Sequence, residues 1–390
     1  MRGRMRAFAA GALAAGLLAL PVRAEETEDT RALMREIFAA FATLVQHADD
    51  PAGFASLAER EEIVRSLQAL ERNATRLEAH TGSLSAAHRP VGRSLTDDVR
   101  RTLDQFVIGH YESARFLSGQ LVENCFACHS KLPSGQGFEL GAQLLEAEAV
   151  ASLPPEQRAL LAVAARQFDT ALALHEAYLA DRHHSAVEIS LSGAFQSYLK
   201  VALRVVDDRD RALATLASFR ERTDLPLYLE AEIDGWVETL RTVDAGAGPG
   251  GLLERARDQI DAGRLRTSYP GDRRGLVNFV LASRWLHQHL AGPSLGRAER
   301  AETLLWLGLC EVHISTSLWV SEAEWFLESA IRAAPETEHA RTAYATLEGV
   351  YLEGYSGSAG THLPPEIERR LASLRELVEA APQPAGGSSR

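Results

Sequence analysis

The sequence predicts an all-α protein, and three observations carry that expectation. From Glu25 onward apolar residues recur at spacings of three and four, alternating apolar and polar runs are few, and prolines and glycines punctuate the periodic stretches. The 390 residues are 46% hydrophobic and 24% charged, with 29 Gly and 15 Pro, a globular composition that excludes a disordered chain, a collagen and a disulfide-stapled miniprotein. At roughly 150 residues per domain, two or three domains are expected. A net charge of −12 excludes a nucleic-acid binder, which needs clustered positive charge to meet phosphates. Of the 41 basic residues only Lys131 and Lys200 are lysines, and the arginines are scattered rather than massed.

Arg2, Arg4 and Arg6 precede an uncharged run from Ala7 to Leu20. Pro21 then breaks the run, and Val22-Arg23-Ala24 offers small residues for cleavage. Residues 1–24 therefore read as a secretory signal peptide. The run has 14 residues, shorter than the ~20 that a spanning helix needs. This segment carries four arginines and no acid, so the expected mature chain has a charge of −16 and no membrane span, and is periplasmic or otherwise exported.

The first mature helix is expected over about Thr27 to His47, with Leu33, Ile37, Phe41 and Leu44 on one side, and Pro51 and Gly53 end it. A second follows from about Ser56 to His80 along Leu57, Val64, Leu67, Leu70, Ala74 and Leu77, and 81–92 reads as a loop. Thr96, Asp97 and Asp98 open a third helix, since hydroxyl and acidic groups satisfy free amides at a helix start. Its stripe of Val99, Leu103, Phe106, His110, Ala114, Leu117 and Leu121 reaches Cys125 and Cys128. Pro133, Gly135 and Gly137 interrupt it, a short helix covers Leu140 to Val150, and Pro154-Pro155 marks a boundary.

Beyond that boundary, helices are expected over Glu156 to Leu179, Ala186 to Val206, Arg209 to Arg222 and Leu227 to Val243. A linker at Asp244 to Gly251 precedes helices over about Leu252 to Ala262, Leu276 to Leu290, Arg297 to Ser317, Ser321 to Ala334, Glu338 to Tyr351 and Pro365 to Ala380. The domains are thus 25–153 and 154–380, with 381–390 a disordered tail rich in Pro, Gly and Ser. Leu307-Gly308 followed by Ala323, Leu327, Ala330 and Pro335 resembles the tetratricopeptide repeat, in which small residues let paired helices pack closely. The resemblance implies a helical array over 156–380.

The chemistry lies in Cys125-Phe126-Ala127-Cys128-His129. Cysteines three residues apart share one face of a helical turn, and a histidine four residues after the first rises beside them. This is the attachment sequence of haem c, in which two thiols add across the haem vinyls and the histidine binds iron. Here the chain resembles the c-type cytochromes. The resemblance implies one covalent haem c, with Cys125 and Cys128 as thioether sites and His129 as proximal ligand. A disulfide redox pair wants a thioredoxin-like sheet, and structural zinc wants two further ligands at a second short spacing; neither is visible.

The sixth ligand decides what such a haem does. The methionines are Met1, Met5 and Met34, so none follows His129. In the helical-bundle cytochromes c-prime and their low-spin relatives, haem attaches near the end of the domain and the distal residue comes from the first helix. That resemblance implies Met34 as sixth ligand; a space-filling core role is the alternative. The chain departs from that family in showing three long helices rather than four. His110 reads as a core histidine roughly 22 Å from the cysteines along one helix. His47, His80 and His88 lie near helix ends or in loops, and Lys131 reads as exposed.

Other signals carry little. Residues 246–251 match a dinucleotide-binding pattern but follow a helix, and Pro249 removes an amide. His175-Glu176 begins like a zinc-protease helix, but Leu179 stands where its second histidine belongs. Cys310 reads as a buried inert thiol. The functional expectation is an exported monohaem carrier of single electrons rather than an enzyme, with the helical array docking a redox protein that bears a basic patch. The competing expectation is a five-coordinate haem that carries or senses a gas and signals through the array.

Overall fold

The computed structural model describes residues 20–48, 50–84, 89–129, 139–146, 148–243, 251–269, 271–292, 295–315, 321–358 and 360–381. The fold is all-α. Among the described residues the only strands are β1 (Ser356–Gly357) and β2 (Gly360–Thr361), a small antiparallel hairpin that periodicity did not reveal.

The N-terminal part is an antiparallel bundle of four long helices: α1 (Leu20–Ala48), α3 (Arg60–Leu84), α4 (Arg89–Val107) and α5 (Tyr111–His129), with the short α2 (Pro51–Phe54) between the first two. Each packs on the next in sequence, and α5 closes the ring on α1. The core takes Leu33, Ile37, Phe41 and Leu44 from α1, Ile63, Leu67, Leu70 and Ala74 from α3, Leu95, Val99 and Phe106 from α4, and Ala114 and Leu121 from α5. Asp50 caps α2 by accepting a hydrogen bond from the Ala52 amide at 3.0 Å, and Pro51 fits the first turn, where no amide is needed. Phe54 thereby plugs one end of the bundle, edge-on to Phe106 at 5.4 Å.

Four expectations are corrected here. The third helix is two, because Gly109 turns the chain at φ 88°, a region that glycine enters without penalty. The bundle therefore has four long helices, not three. His110 is an exposed turn residue whose Nδ1 lies 3.0 Å from Gln105 Oε1, not a core histidine. Leu57 does not line the second helix's stripe; it is exposed in the turn before α3. The expected loop over 81–92 is also mostly helix where it is described, since Pro90 falls in the first turn of α4, where it is tolerated.

After α6 (Glu139–Leu145) and α7 (Glu148–Ala151), α8 (Pro155–Ala164) and α9 (Phe168–Ala180) form a hairpin. The single helix expected there is broken at Arg166, which sits at φ 59°. The helix expected over 186–206 is likewise three pieces: α10 (Ala186–Leu191), α11 (Ala194–Leu199) after Gly193 at φ 81°, and a π-helical turn over Lys200–Val206. Next come α12 (Arg209–Arg220), α13 (Leu227–Thr242), α14 (Leu252–Arg266), α15 (Leu276–Leu290), α16 (Arg297–Ile314), α17 (Ser321–Ala333), α18 (Glu338–Gly354) and α19 (Pro365–Ala380).

From α14 each helix packs on its successor, and α14 also meets α16, α16 meets α18 and α17 meets α19, the pattern of stacked helical hairpins. Ala323, Leu327 and Ala330 are fully buried, and a Cβ on Gly308 would stand 2.6 Å from Leu327 Cγ, so this pair needs its glycine. The expected linker, the tail from 382, Lys131 and His88 lie outside the described residues.

Beyond Pro154 and Pro155, α8 contributes residues to both cores. Leu161, Ala164 and Ala165 join the bundle core, whereas Ala162 and Val163 join the core of the array. The array also packs α17 against α4 and α5.

Candidate functional site

Cys125, Cys128 and His129 occupy the last turn and a half of α5, which runs unbroken to His129. Neither cysteine is in a disulfide, and both are half-buried. Cys125 packs against the bundle core, and its Sγ lies 3.9 Å from the Leu121 carbonyl oxygen. Burial, with Cys128 beside it, pushes the Cys125 thiol up to about 12. It is therefore protonated at neutral pH, unlike a redox-exchanging thiol, which needs a depressed pKa. Among the described residues no group of three metal ligands includes either cysteine.

His129 meets the end of α8. Burial and the charge of Arg166 lower its pKa to about 4, against the opposing pull of the Val163 and Ala164 carbonyls. The imidazole is thus neutral at neutral pH, and its buried Nδ1 has no hydrogen-bond partner among the described residues. A neutral imidazole is the form in which histidine binds a metal.

Three contacts between helices fix which residues share this end of the bundle. Arg115 Nη1 donates to the Ala48 carbonyl oxygen at 3.4 Å, so the start of α5 lies beside the end of α1. From there, Met34 on α1 and His129 on α5 are each 14 residues away in the same direction, about 21 Å at the helical rise. Met34 is half-buried and packs against the same core as Cys125. Arg76–Glu36 at 3.3 Å and Arg93–Glu78 at 3.4 Å bring the end of α3 and the start of α4 to this level too. His80 falls on that part of α3, and its side chain lies outside the described set.

His47 and His110 stand at the opposite end. His47 is paired there with Glu59 at 3.2 Å and Glu62 at 3.6 Å. Glu62 is exposed and Glu59 half-exposed, so this trio is an ordinary surface cluster.

The motif also reaches the array. Phe126 is 4% exposed and belongs to the array's core, while Cys125 one residue earlier belongs to the bundle's. Two cations of the π-helical turn approach the Phe126 ring, Lys200 Nζ at 4.7 Å and Arg204 Cζ at 4.8 Å from its centroid. Lys200 also donates to Glu123 Oε2 at 2.6 Å, and Arg204 pairs with the buried Glu311 and lies 3.6 Å from Glu322 Oε2.

Sequence reading missed this cluster. Its signal is two cations inside the otherwise apolar run from Tyr198 to Val206, one of them among only two lysines in the chain. π-Helical turns occur preferentially at functional sites, because the wider turn re-aims side chains.

His287, Glu311 and Glu322 bring one ligand atom each to within 4.8 Å of one another. The Arg204 guanidinium already meets both carboxylates, so a divalent ion there would face a fixed positive charge. His175 is buried at the centre of α9's apolar face, with no partner for either nitrogen among the described residues, and burial lowers its pKa to about 4. Cys310 is buried and its thiol pushed well up, in keeping with an inert role.

A cleft of about 200 Å³ between α4 and α17 is lined by Asp98, Arg101, Glu324 and Trp325. Asn124, immediately before Cys125, donates to Asp98 Oδ2 at 2.8 Å. No helix among the described residues is long and apolar enough to cross a membrane. No protein-family model, curated protein or solved structure matches the chain.

Proposed function

We propose that this chain is an exported c-type cytochrome carrying one covalent haem, which passes single electrons to and from a protein partner. Cys125 and Cys128 would hold the haem by thioether bonds, His129 would supply the proximal nitrogen, and Met34 would close the sixth position. Haem bound there supplies a reversible one-electron couple between ferric and ferrous iron.

The observation that carries this reading is the combination of two thiols outside any disulfide on one helical face with a neutral histidine beside them. The four-helix arrangement removes the one departure from the cytochromes c-prime noted in the sequence, and the α1–α5 register puts Met34 level with the motif.

The chain's own residues would tune the site. Packing of Cys125 against the bundle and of Phe126 into the array excludes water from one side. Lys200 and Arg204 place positive charge behind Phe126, which favours the reduced state of a nearby centre. The charge of −16 expected after loss of residues 1–24 suits a partner with a basic patch and weak, steered association.

One observation favours a second reading, a five-coordinate haem that binds a small gas and signals through the array. The motif straddles both cores, so a shift at His129 would be felt by α8, which the two cores share. The ferrous absorption spectrum separates the readings. A low-spin, six-coordinate spectrum unaffected by carbon monoxide supports electron transfer; immediate carbon monoxide binding supports the sensor.

A further inference from the structure

Asn124, the residue immediately before the motif, is 4% exposed. Cys128 follows it by four residues on α5, so the two share a helical face, with Cβ atoms about 5–6 Å apart. The Asn124 amide donates to Asp98 Oδ2 of α4 at 2.8 Å. Asp98 is half-buried on the wall of the cleft between α4 and α17. Its carboxyl therefore meets the open cleft on one side and the helix of the motif on the other.

We propose that Asp98 is a positioning residue and proton switch for the motif: ionised, it grips Asn124 and adds negative charge beside the Cys128 face of α5, and protonation relaxes both. This inference rests on the haem reading above. An electron gained at the motif comes from a reduced one-electron donor protein and draws a proton from water onto an Asp98 oxygen. The bond formed is the carboxyl O–H, and loss of the electron releases the proton again.

Two effects link the proton to the motif. An amide's hydrogen bond to a carboxylate is charge-assisted and stronger than one to a neutral carboxyl, so ionisation tightens the hold on the turn that leads to Cys128. The negative charge also disfavours a reduced centre, by about a factor of ten for unit charges roughly 12 Å apart in protein. Burial pushes the Asp98 carboxyl up to about 6, against the pull of Asn124 and Arg101, so both protonation states lie within an ordinary pH range.

The groups facing Asp98 come from every side of the cleft. Asp97 and Arg101 on α4 act on it, as does Glu324 from α17. Arg370 of α19 pairs with Glu324 at 3.1 Å and with Glu328, which also takes Arg332. Tyr355, just past α18, faces Arg101. On α3, Glu78 pairs with Arg93 at 3.4 Å and raises Asp97. Toward α5 the facing group is the Asn124 amide, which does not titrate.

The test is the midpoint potential of the haem-loaded full chain as a function of pH. The wild type is expected to step down as pH rises through about 6. The expected drop is about 59 mV, the one-electron equivalent of a factor of ten. Asp98→Asn should hold the upper plateau throughout. Asn124→Ala removes a bond that favours the ionised form and should move the step to higher pH. Glu61→Gln, an exposed carboxyl at the far end of the bundle, leaves the step intact. A flat wild-type profile, a step that survives Asp98→Asn, or one that stays in place in Asn124→Ala overturns the proposal.

An independent readout uses the full chain with Cys125→Ser and Cys128→Ser. There the side-chain amide resonance of Asn124 is expected to titrate with a midpoint near 6 and to stop titrating in Asp98→Asn. An amide that ignores pH overturns the switch. If that amide titrates while the wild-type chain carries no haem, the haem reading fails and the switch on α5 stands.

Discussion

Arg115 at the start of α5 hydrogen-bonds the carbonyl oxygen of Ala48 at the end of α1, and this one contact fixes the register of two antiparallel helices. It sets Met34 level with His129 and leaves His47 and His110 at the far end of the bundle. Met34→Ala is therefore expected to convert a low-spin, six-coordinate ferrous spectrum to a high-spin one that binds carbon monoxide at once. An unchanged low-spin spectrum would remove Met34 from the coordination sphere and turn attention to His80.

Asp98 accepts its hydrogen bond from Asn124, yet burial dominates and raises its pKa from 3.8 to about 6. A raised pKa means that the folded state prefers the protonated carboxyl. The stabilisation is complete below the unfolded value and is lost as pH rises through about 6. Holding the carboxylate ionised in the fold at neutral pH costs about 3 kcal/mol at most. Asp98→Asn is accordingly expected to be more stable than wild type at neutral pH by up to that amount, with the two converging in acid. Urea titrations at several pH values test this, and parallel pH profiles would contradict it.

Arg204→Met removes the guanidinium that meets the buried Glu311 and Glu322. Breaking a buried pair from one side costs about 3–5 kcal/mol. Urea midpoints should fall accordingly, and Glu311→Gln added to Arg204→Met should recover part of the loss. A cost below about 1 kcal/mol, the range of a solvent-exposed pair, would show that the cluster is more solvated than the 6% exposure of Arg204 implies.

Gly308 lies where a Cβ would stand 2.6 Å from Leu327 Cγ. Overpacking of this kind costs about 1–3 kcal/mol. Gly308→Ala is expected to destabilise the chain by that amount, and shortening Leu327 in the same background should offset part of the strain. A neutral Gly308→Ala would mean that α16 and α17 separate freely.

The helical class, the α15 and α19 boundaries and the small-residue contact between α16 and α17 were all legible in the sequence. Helical periodicity and the offsets from Ala323 report packing that is local along the chain. The turn at Gly109 was not legible, because Phe106, His110 and Ala114 keep a four-residue step straight through it. The hairpin turn at Arg166 hid for a related reason: no glycine or proline marks it.

At the candidate site, the pentapeptide announced its own spacing, but its environment depends on residues far apart in sequence. Phe126 meets Lys200 and Arg204, and Glu123 meets Lys200, across separations that no local pattern encodes. Once the chain is folded, the isolated cations in the run from Tyr198 to Val206 explain themselves as the array's contribution to the motif.

The most direct test of haem attachment at Cys125 and Cys128 is the intact mass of the protein produced in cells that attach haem c outside the cytoplasm. The expected result is a polypeptide heavier by one haem, with the added mass lost in the Cys125→Ser, Cys128→Ser variant. A native chain with the mass of the bare polypeptide would contradict it.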